Sequence, residues 1–155
     1  MSSWYYTVVS DLGRIPDCIS SFEAELVEAR KELTLKGGKT IEQHSSELPG
    51  IVEQRYTQLQ EIEAILEYLN TTLRKIRSKV FKRFLEQYRR SLTSRDCEKY
   101  TDGDNEVVNM TFLVNEFALL RNKYLGLYKG LEQKGWMISH VVKLRSAGLE
   151  DIKIN

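Results

Sequence analysis

The chain predicts an all-α fold: an antiparallel helical bundle with one long central helix and a C-terminal helical hairpin. Three observations predict it. Between Gly50 and Gly103 there is neither glycine nor proline, so one helix can run unbroken through most of that stretch. Apolar residues recur at spacings of three and four in several separate segments. No segment alternates apolar and polar residues as a half-buried strand would, residues 4–9 excepted. The 155 residues suit a single domain, organised as an N-terminal helix and linker (1–50), a long helix with a basic end (51–95) and C-terminal helices (104–148).

The opening "WYYTVVS" is short and apolar, and reads equally as a helical turn or a strand. The first long helix starts near Pro16, a favoured first-turn residue. Ile15, Ile19, Phe22, Leu26, Ala29 and Leu33 then follow at spacings of four, three, four, three and four, a heptad seam. "KGG" at 36–38 stops that helix, because glycine accepts the left-handed cap conformation. Residues 37–50 read as a linker ending in "ELPG", and the central helix runs from about Ile51 to about Ser91. Its stripe is Leu59, Ile62, Leu66, Leu69, Leu73, Ile76, Val80, Phe84 and Tyr88. At ~1.5 Å per residue such a helix is about 60 Å long, so it bends or needs another chain to cover it. The polar run "SLTSRDCEKYTDGDNE" reads as a loop or short turn, with Asp104 as the N-cap of the next helix. That helix spans roughly 105–133, with Val107, Met110, Val114, Phe117, Leu120, Tyr124, Leu127 and Leu131 inward, and a last helix covers 136–147 before Gly148.

Composition narrows the function classes. No apolar run approaches ~18 residues, so no membrane span is expected, and the N-terminus does not read as a signal peptide. Two cysteines, Cys18 and Cys97, and two histidines, His44 and His140, are all far apart, which points to free thiols in a reducing cytoplasm and to no zinc site. "LKGGKT" ends like a phosphate-binding loop but has Leu33 where the first glycine belongs, and follows a helix where a strand is required. "DGDNE" begins like a calcium loop, yet its twelfth position is Leu113 where a bidentate glutamate belongs. No nucleophile–base constellation stands out, so neither enzymatic activity nor a cofactor is expected. Gly126 and Gly130, four apart, allow close approach of another helix.

The net charge of +1 conceals a segregated pattern. Residues 1–73 carry 6 basic and 12 acidic side chains, residues 74–95 carry 9 and 1, and residues 96–155 carry 8 and 9. The basic block centres on "KIRSKVFKRFLEQYRR". Projected at ~100° per residue, Ile76, Val80, Phe84 and Tyr88 share one side, and Lys75, Lys79, Lys82, Arg83, Arg89 and Arg90 the other. Arg77 falls within the apolar arc. An ordinary solvated face mixes signs, because Glu–Lys pairs at i, i+4 support the helix. This one, with Glu86 as its single acid, reads as a polyanion-binding face. A membrane surface would need the apolar side exposed, whereas here that side continues the core stripe. A nucleic-acid backbone fits better, with Phe81 and Tyr88 placed to stack on bases if they are not core.

The C-terminal half adds a family resemblance. "EKYTDGDNEVVNMTFLVNEFALLRNKYL" followed by "KGWMISHVVKLRSAGLED" resembles the UvsY family of recombination mediators of tailed phages. The matching features are an acidic, Tyr-containing turn, a long amphipathic helix, and a terminal helix that opens with Gly135 and Trp136, passes Ile138 and His140, and closes with Arg145 and Gly148. The resemblance covers about residues 80–150, and "ARKEL" at 29–33 is similar to a short basic element of that family. It implies a helical, homo-oligomeric, non-enzymatic protein of the infected cell that binds single-stranded DNA. Such a protein helps a RecA-like recombinase displace single-strand-binding protein. The DNA would lie on Lys75, Lys79, Lys82, Arg83, Arg89 and Arg90, while Phe117, Leu120, Tyr124, Leu127 and Trp136 of the C-terminal helices would serve packing or assembly. The alternative is a helical protein–protein adaptor, such as a phage inhibitor of a host factor, whose basic block meets an acidic protein surface.

Overall fold

A computed structural model describes residues 3–35, 37–87 and 92–148. Among the described residues all regular structure is helical: α1 (Trp4–Ser10), α2 (Ile15–Arg30), α3 (Ile41–Gln87), α4 (Ser94–Asp102) and α5 (Asn105–Ser146), with 3-10 turns at Leu12–Arg14 and Lys31–Leu33. The expected all-α fold with a long central helix is what the chain adopts. Contacts group it into two compact units: one from residues up to Ile19 with Glu61–Arg121, the other from Ser20–Gln60 with residues from Asn122 onward.

In the first unit α1 resolves the ambiguous N-terminus as a helix. Its first turn is fastened by Glu61, whose Oε1 accepts from the Ser3 hydroxyl (3.1 Å) and the Tyr5 N–H (3.0 Å). Val8, Ile15, Cys18, Ile62, Ile65, Leu69, Val80, Cys97, Val107, Met110, Phe117 and Leu120 form the core. The run 94–102, expected as a loop or turn, is helix α4. Thr93 caps it by accepting from the Asp96 N–H (3.2 Å), and only Cys97 and Thr101 turn inward. With two buried positions in nine residues and an otherwise strongly polar composition, the run offers too few apolar residues to announce a helix by their spacing. Asp104 is the expected cap of α5, accepting from the Glu106 N–H at 3.0 Å.

In the second unit α2, α3 and α5 pack as an up–down–up trio. Leu35 meets His44, Glu32 meets Arg55 and Glu25 meets Gln58, so α2 and α3 are antiparallel. Phe22 meets Tyr124 and Glu32 meets Lys134, so α2 and α5 are parallel. Phe22, Leu26, Ala29, Leu48, Leu59, Tyr124, Leu127, Leu131 and Ile138 fill the interior. Full burial of each larger apolar side chain stabilises by about 1.5–3 kcal/mol. The Tyr124 hydroxyl donates to the Phe22 carbonyl (2.8 Å), which satisfies its polar end inside the core.

Three element boundaries differ from those the sequence suggests. The central helix begins at Ile41, ten residues before Ile51. Thr40 and Gln43 form a reciprocal capping box there: the Gln43 N–H donates to the Thr40 hydroxyl (3.2 Å) and the Thr40 N–H to the Gln43 side chain (2.9 Å). Pro49 lies inside the helix, with one backbone hydrogen bond forgone. The expected C-terminal hairpin is absent, because α5 runs unbroken through 133–136. Gly135 is a packing position: a Cβ there would stand 3.4 Å from the Leu48 side chain. Third, α2 ends at Arg30 and its 3-10 extension at Leu33, ahead of Gly37 and Gly38, both of which hold positive φ. Of the two spaced glycines, only Gly130 is closely approached. A Cβ would meet Leu33 Cδ2 at 2.8 Å, while nothing lies within 4 Å at Gly126.

Candidate nucleic-acid interface

The basic block occupies about the last four turns of the described part of α3. The apolar arc of this stretch does face inward: Val80 is fully buried, and Ile76 and Phe84 are half-buried. Packing that arc leaves the opposite one to solvent. Lys75, Lys79 and Lys82, at spacings of four and three, are all exposed and share it. Among the described residues Lys75 and Lys79 have no carboxylate partner, and Lys82 has only a long contact with Glu86 at 3.8 Å. Since successive side chains lie ~6 and ~4.5 Å apart along the axis, the three ammonium groups form a short cationic ladder.

The arginines divide differently. Arg83 reaches sideways to Asp104, the cap of α5, with Nη2–Oδ2 at 2.7 Å, and its guanidinium lies 5.7 Å from the Phe84 ring centroid. Arg83, expected in the DNA-facing set, is thus ion-paired across to α5, unlike Lys75 and Lys79. Arg77, which falls in the apolar arc, has a structural partner as well: Asp102 at the end of α4, 2.6 Å away. Arg74 pairs with Glu67 at 3.2 Å on the helix surface. Arg89, Arg90 and Tyr88 lie outside the described residues. The acids that meet Arg77 and Arg83 sit at the end of α4 and at its junction with α5, more than 20 residues away, which no local pattern announces.

Beside the ladder, Arg74, Arg77, Ser78 and Phe81 of α3 and Glu98 and Thr101 of α4 line a cavity of about 390 Å³. Phe81 is half-buried there, so one part of its ring packs while the other borders the cavity. Nearby, Phe84 and the exposed Tyr100 have ring centroids 5.7 Å apart.

The other predicted residues are core, with one exception. Phe117, Leu120, Tyr124 and Leu127 are buried within the chain, whereas Trp136 is 66% exposed. His44 is buried, with Nε2 3.0 Å from the Leu35 carbonyl, and His140 is exposed. Cys18 is enclosed, and burial together with the nearby Glu61 charge pushes its thiol from 9.0 up to about 12. Among the described residues no group of three or more His, Cys, Asp or Glu is placed to hold a metal ion, and no helix is long and apolar enough to cross a membrane.

A polar cluster in the second unit escaped the sequence reading. Arg55 is buried and forked: Nη2 bonds Glu32 at 2.7 Å, Nη1 bonds Glu25 at 3.0 Å, and Nε also reaches Glu32. Its hydrogen bond with Glu32, ahead of the burial cost, raises its pKa. Lys134 is buried too, and its ammonium donates to the Glu32 carbonyl at 2.6 Å. Burial, followed by repulsion from Lys39, lowers its pKa. Both cations fall at inward helical positions, which was the available signal. Comparison of the chain with protein-family models, with curated proteins and with solved structures finds no match.

Proposed function

We propose that the chain is a non-enzymatic recombination mediator that binds single-stranded DNA and helps load a RecA-like recombinase where single-strand-binding protein covers the strand. The observation that carries the binding reading is the ladder of Lys75, Lys79 and Lys82, which share one exposed arc of α3 without strong carboxylate partners among the described residues. Phosphates neutralised by such a ladder release condensed counterions, which drives association without reading sequence. The cavity bordered by Phe81 lies next to the ladder and offers an aromatic edge to an unstacked base. The mediator role rests on the family resemblance of residues 80–150, and it includes assembly of several copies, which multiplies weak contacts along one strand.

A second reading, a protein–protein adaptor, is favoured by one observation. Leu48, Pro49, Val52, Tyr56, Tyr128 and Leu131 line a largely apolar groove of about 490 Å³. Fluorescence anisotropy of a labelled single-stranded oligonucleotide separates the two. Saturable binding, stronger than to duplex and reduced by mutating the three lysines, supports the mediator. No binding at low salt removes it and leaves the adaptor.

A further inference from the structure

The charge of the C-terminal third also conceals a pattern. Residues 96–121 carry 2 basic and 6 acidic side chains, residues 122–146 carry 5 and 1, and residues 147–155 carry 1 and 2, which together give the 8 and 9 of residues 96–155. The second half of α5 is thus a +4 segment. Two of its cations are committed: Lys123 pairs with Glu23 at 2.7 Å, and Lys134 is buried on the Glu32 carbonyl. Lys129, Lys143 and Arg145 remain exposed, with no carboxylate partner among the described residues. The segment's one acid, Glu132, is engaged by the Tyr128 hydroxyl, an interaction that raises the tyrosine's pKa.

Trp136 stands in the middle of this segment. The buried residues Leu127, Leu131, Lys134 and Ile138 define the inward arc of α5, and at ~100° per residue Trp136 projects almost opposite to it. Lys129 and Lys143 lie seven residues before and after it, within ~20° of its direction, and the exposed His140 lies one turn on. An exposed indole costs solubility and contributes nothing to this core. A seam for another helix would surround it with apolar residues at i±3 and i±4; here those positions are Glu132, Gln133, Ser139 and His140. A large aromatic face between two unpaired lysines has the chemistry of a stacking platform for an unpaired base with phosphates on either side.

We propose that Trp136, Lys129 and Lys143 form a second contact for single-stranded nucleic acid, the indole stacking on a base and the lysines meeting flanking phosphates. It shares its ligand with the function proposed above but rests on other residues. The test uses the full chain and oligo(dT). In a Trp4→Phe variant, where Trp136 is the sole tryptophan, emission should be quenched as the strand saturates. Trp136→Ala should weaken single-strand binding about 5- to 150-fold, the worth of one stacked base, with Trp136→Tyr restoring most of it and duplex binding unchanged. Lys129→Ala and Lys143→Ala should each lower the salt slope by ~0.7. Unquenched emission at saturation overturns the proposal, and needs no change at Trp136 itself. So does a Trp136→Ala variant that binds normally, and one that changes only the mass of the protein in solution assigns the indole to a protein contact instead. If Lys75, Lys79 and Lys82 prove dispensable while Trp136 does not, the ladder falls and this site stands. The reverse result overturns this site alone, and a wild type that binds no strand removes both.

Discussion

Replacing Lys75, Lys79 and Lys82 together by alanine should change the salt dependence of single-strand binding by a calculable amount. Each phosphate contact contributes ~0.7 to the slope of log K against log salt for single strands, so three lysines contribute about 2.1. Between 50 and 200 mM salt, a span of ~0.6 log units, the wild type should lose about 20-fold more affinity than the triple variant. The count is three because the structure commits Arg83 to Asp104 and Arg77 to Asp102. Arg83→Ala should therefore leave the slope nearly unchanged, and lower the melting temperature instead by freeing the cap of α5. The three lysines are exposed, so their removal should shift stability by no more than about 0.5 kcal/mol. Anisotropy titrations at four or five salt concentrations, with circular dichroism as the folding control, measure all of this. A triple variant with the wild-type slope, or an Arg83→Ala slope as low as the triple variant's, would refute the assignment.

Four further outcomes concern the scaffold. Arg55→Ala should destabilise by about 3 kcal/mol in urea denaturation, the lower end for a broken buried pair because Glu25 is half-exposed, whereas Glu25→Gln should cost less than about 1 kcal/mol; equal effects would contradict the fork. Pro49→Ala should raise the melting temperature by restoring a helical hydrogen bond, worth up to about 3 kcal/mol. Gly126→Ala should stabilise by about 0.5–1 kcal/mol, and Gly130→Ala should fall below it because of Leu33; the opposite order would show that the close approach is wrong. Stability should also fall as pH rises from about 9 towards 12. The unfolded chain releases the Cys18 proton near 9.0 while the folded chain holds it to about 12, so the unfolded state binds fewer protons over that window. The slope is up to ~1.4 kcal/mol per pH unit for this group, and Cys18→Ala should flatten it in alkaline melting curves.

The helices were legible where periodicity is strong. The heptad seam ends up with Ile15, Phe22, Leu26 and Ala29 buried. The boundaries were less so, because local signals compete. Thr40–Gln43 is a complete capping box, but Pro49 and Gly50 are the stronger local breakers, and they shift the expected start to Ile51. The expected break between 133 and 136 contains Gly135, which in the packed helix serves the approach of Leu48. Within the candidate site, the exposed ladder of lysines follows from the helical wheel alone. The pairing of Arg83 does not, since its partner Asp104 stands at the start of another helix. The resemblance groups Trp136 with the packing residues Phe117 and Tyr124, yet on α5 it projects opposite the neighbouring inward residues Leu127, Leu131, Lys134 and Ile138, and local phase is the better guide.

Glu32 is where two features of the second unit coincide. Its carboxylate takes the fork of Arg55 from α3, and its backbone carbonyl takes the ammonium of Lys134 from α5. One residue, in the tapering end of α2, thereby sets the axial position of two other helices. If either helix slid by a turn of ~5.4 Å, its apolar seam would still find apolar neighbours, but a buried cation would lose its acceptor. Leucines and isoleucines tolerate several alignments of a trio; an arginine and a lysine aimed at the same residue tolerate one. Arg55 and Lys134 therefore act as a key that admits a single alignment of α2, α3 and α5, in a bundle whose heptads alone would leave that choice open.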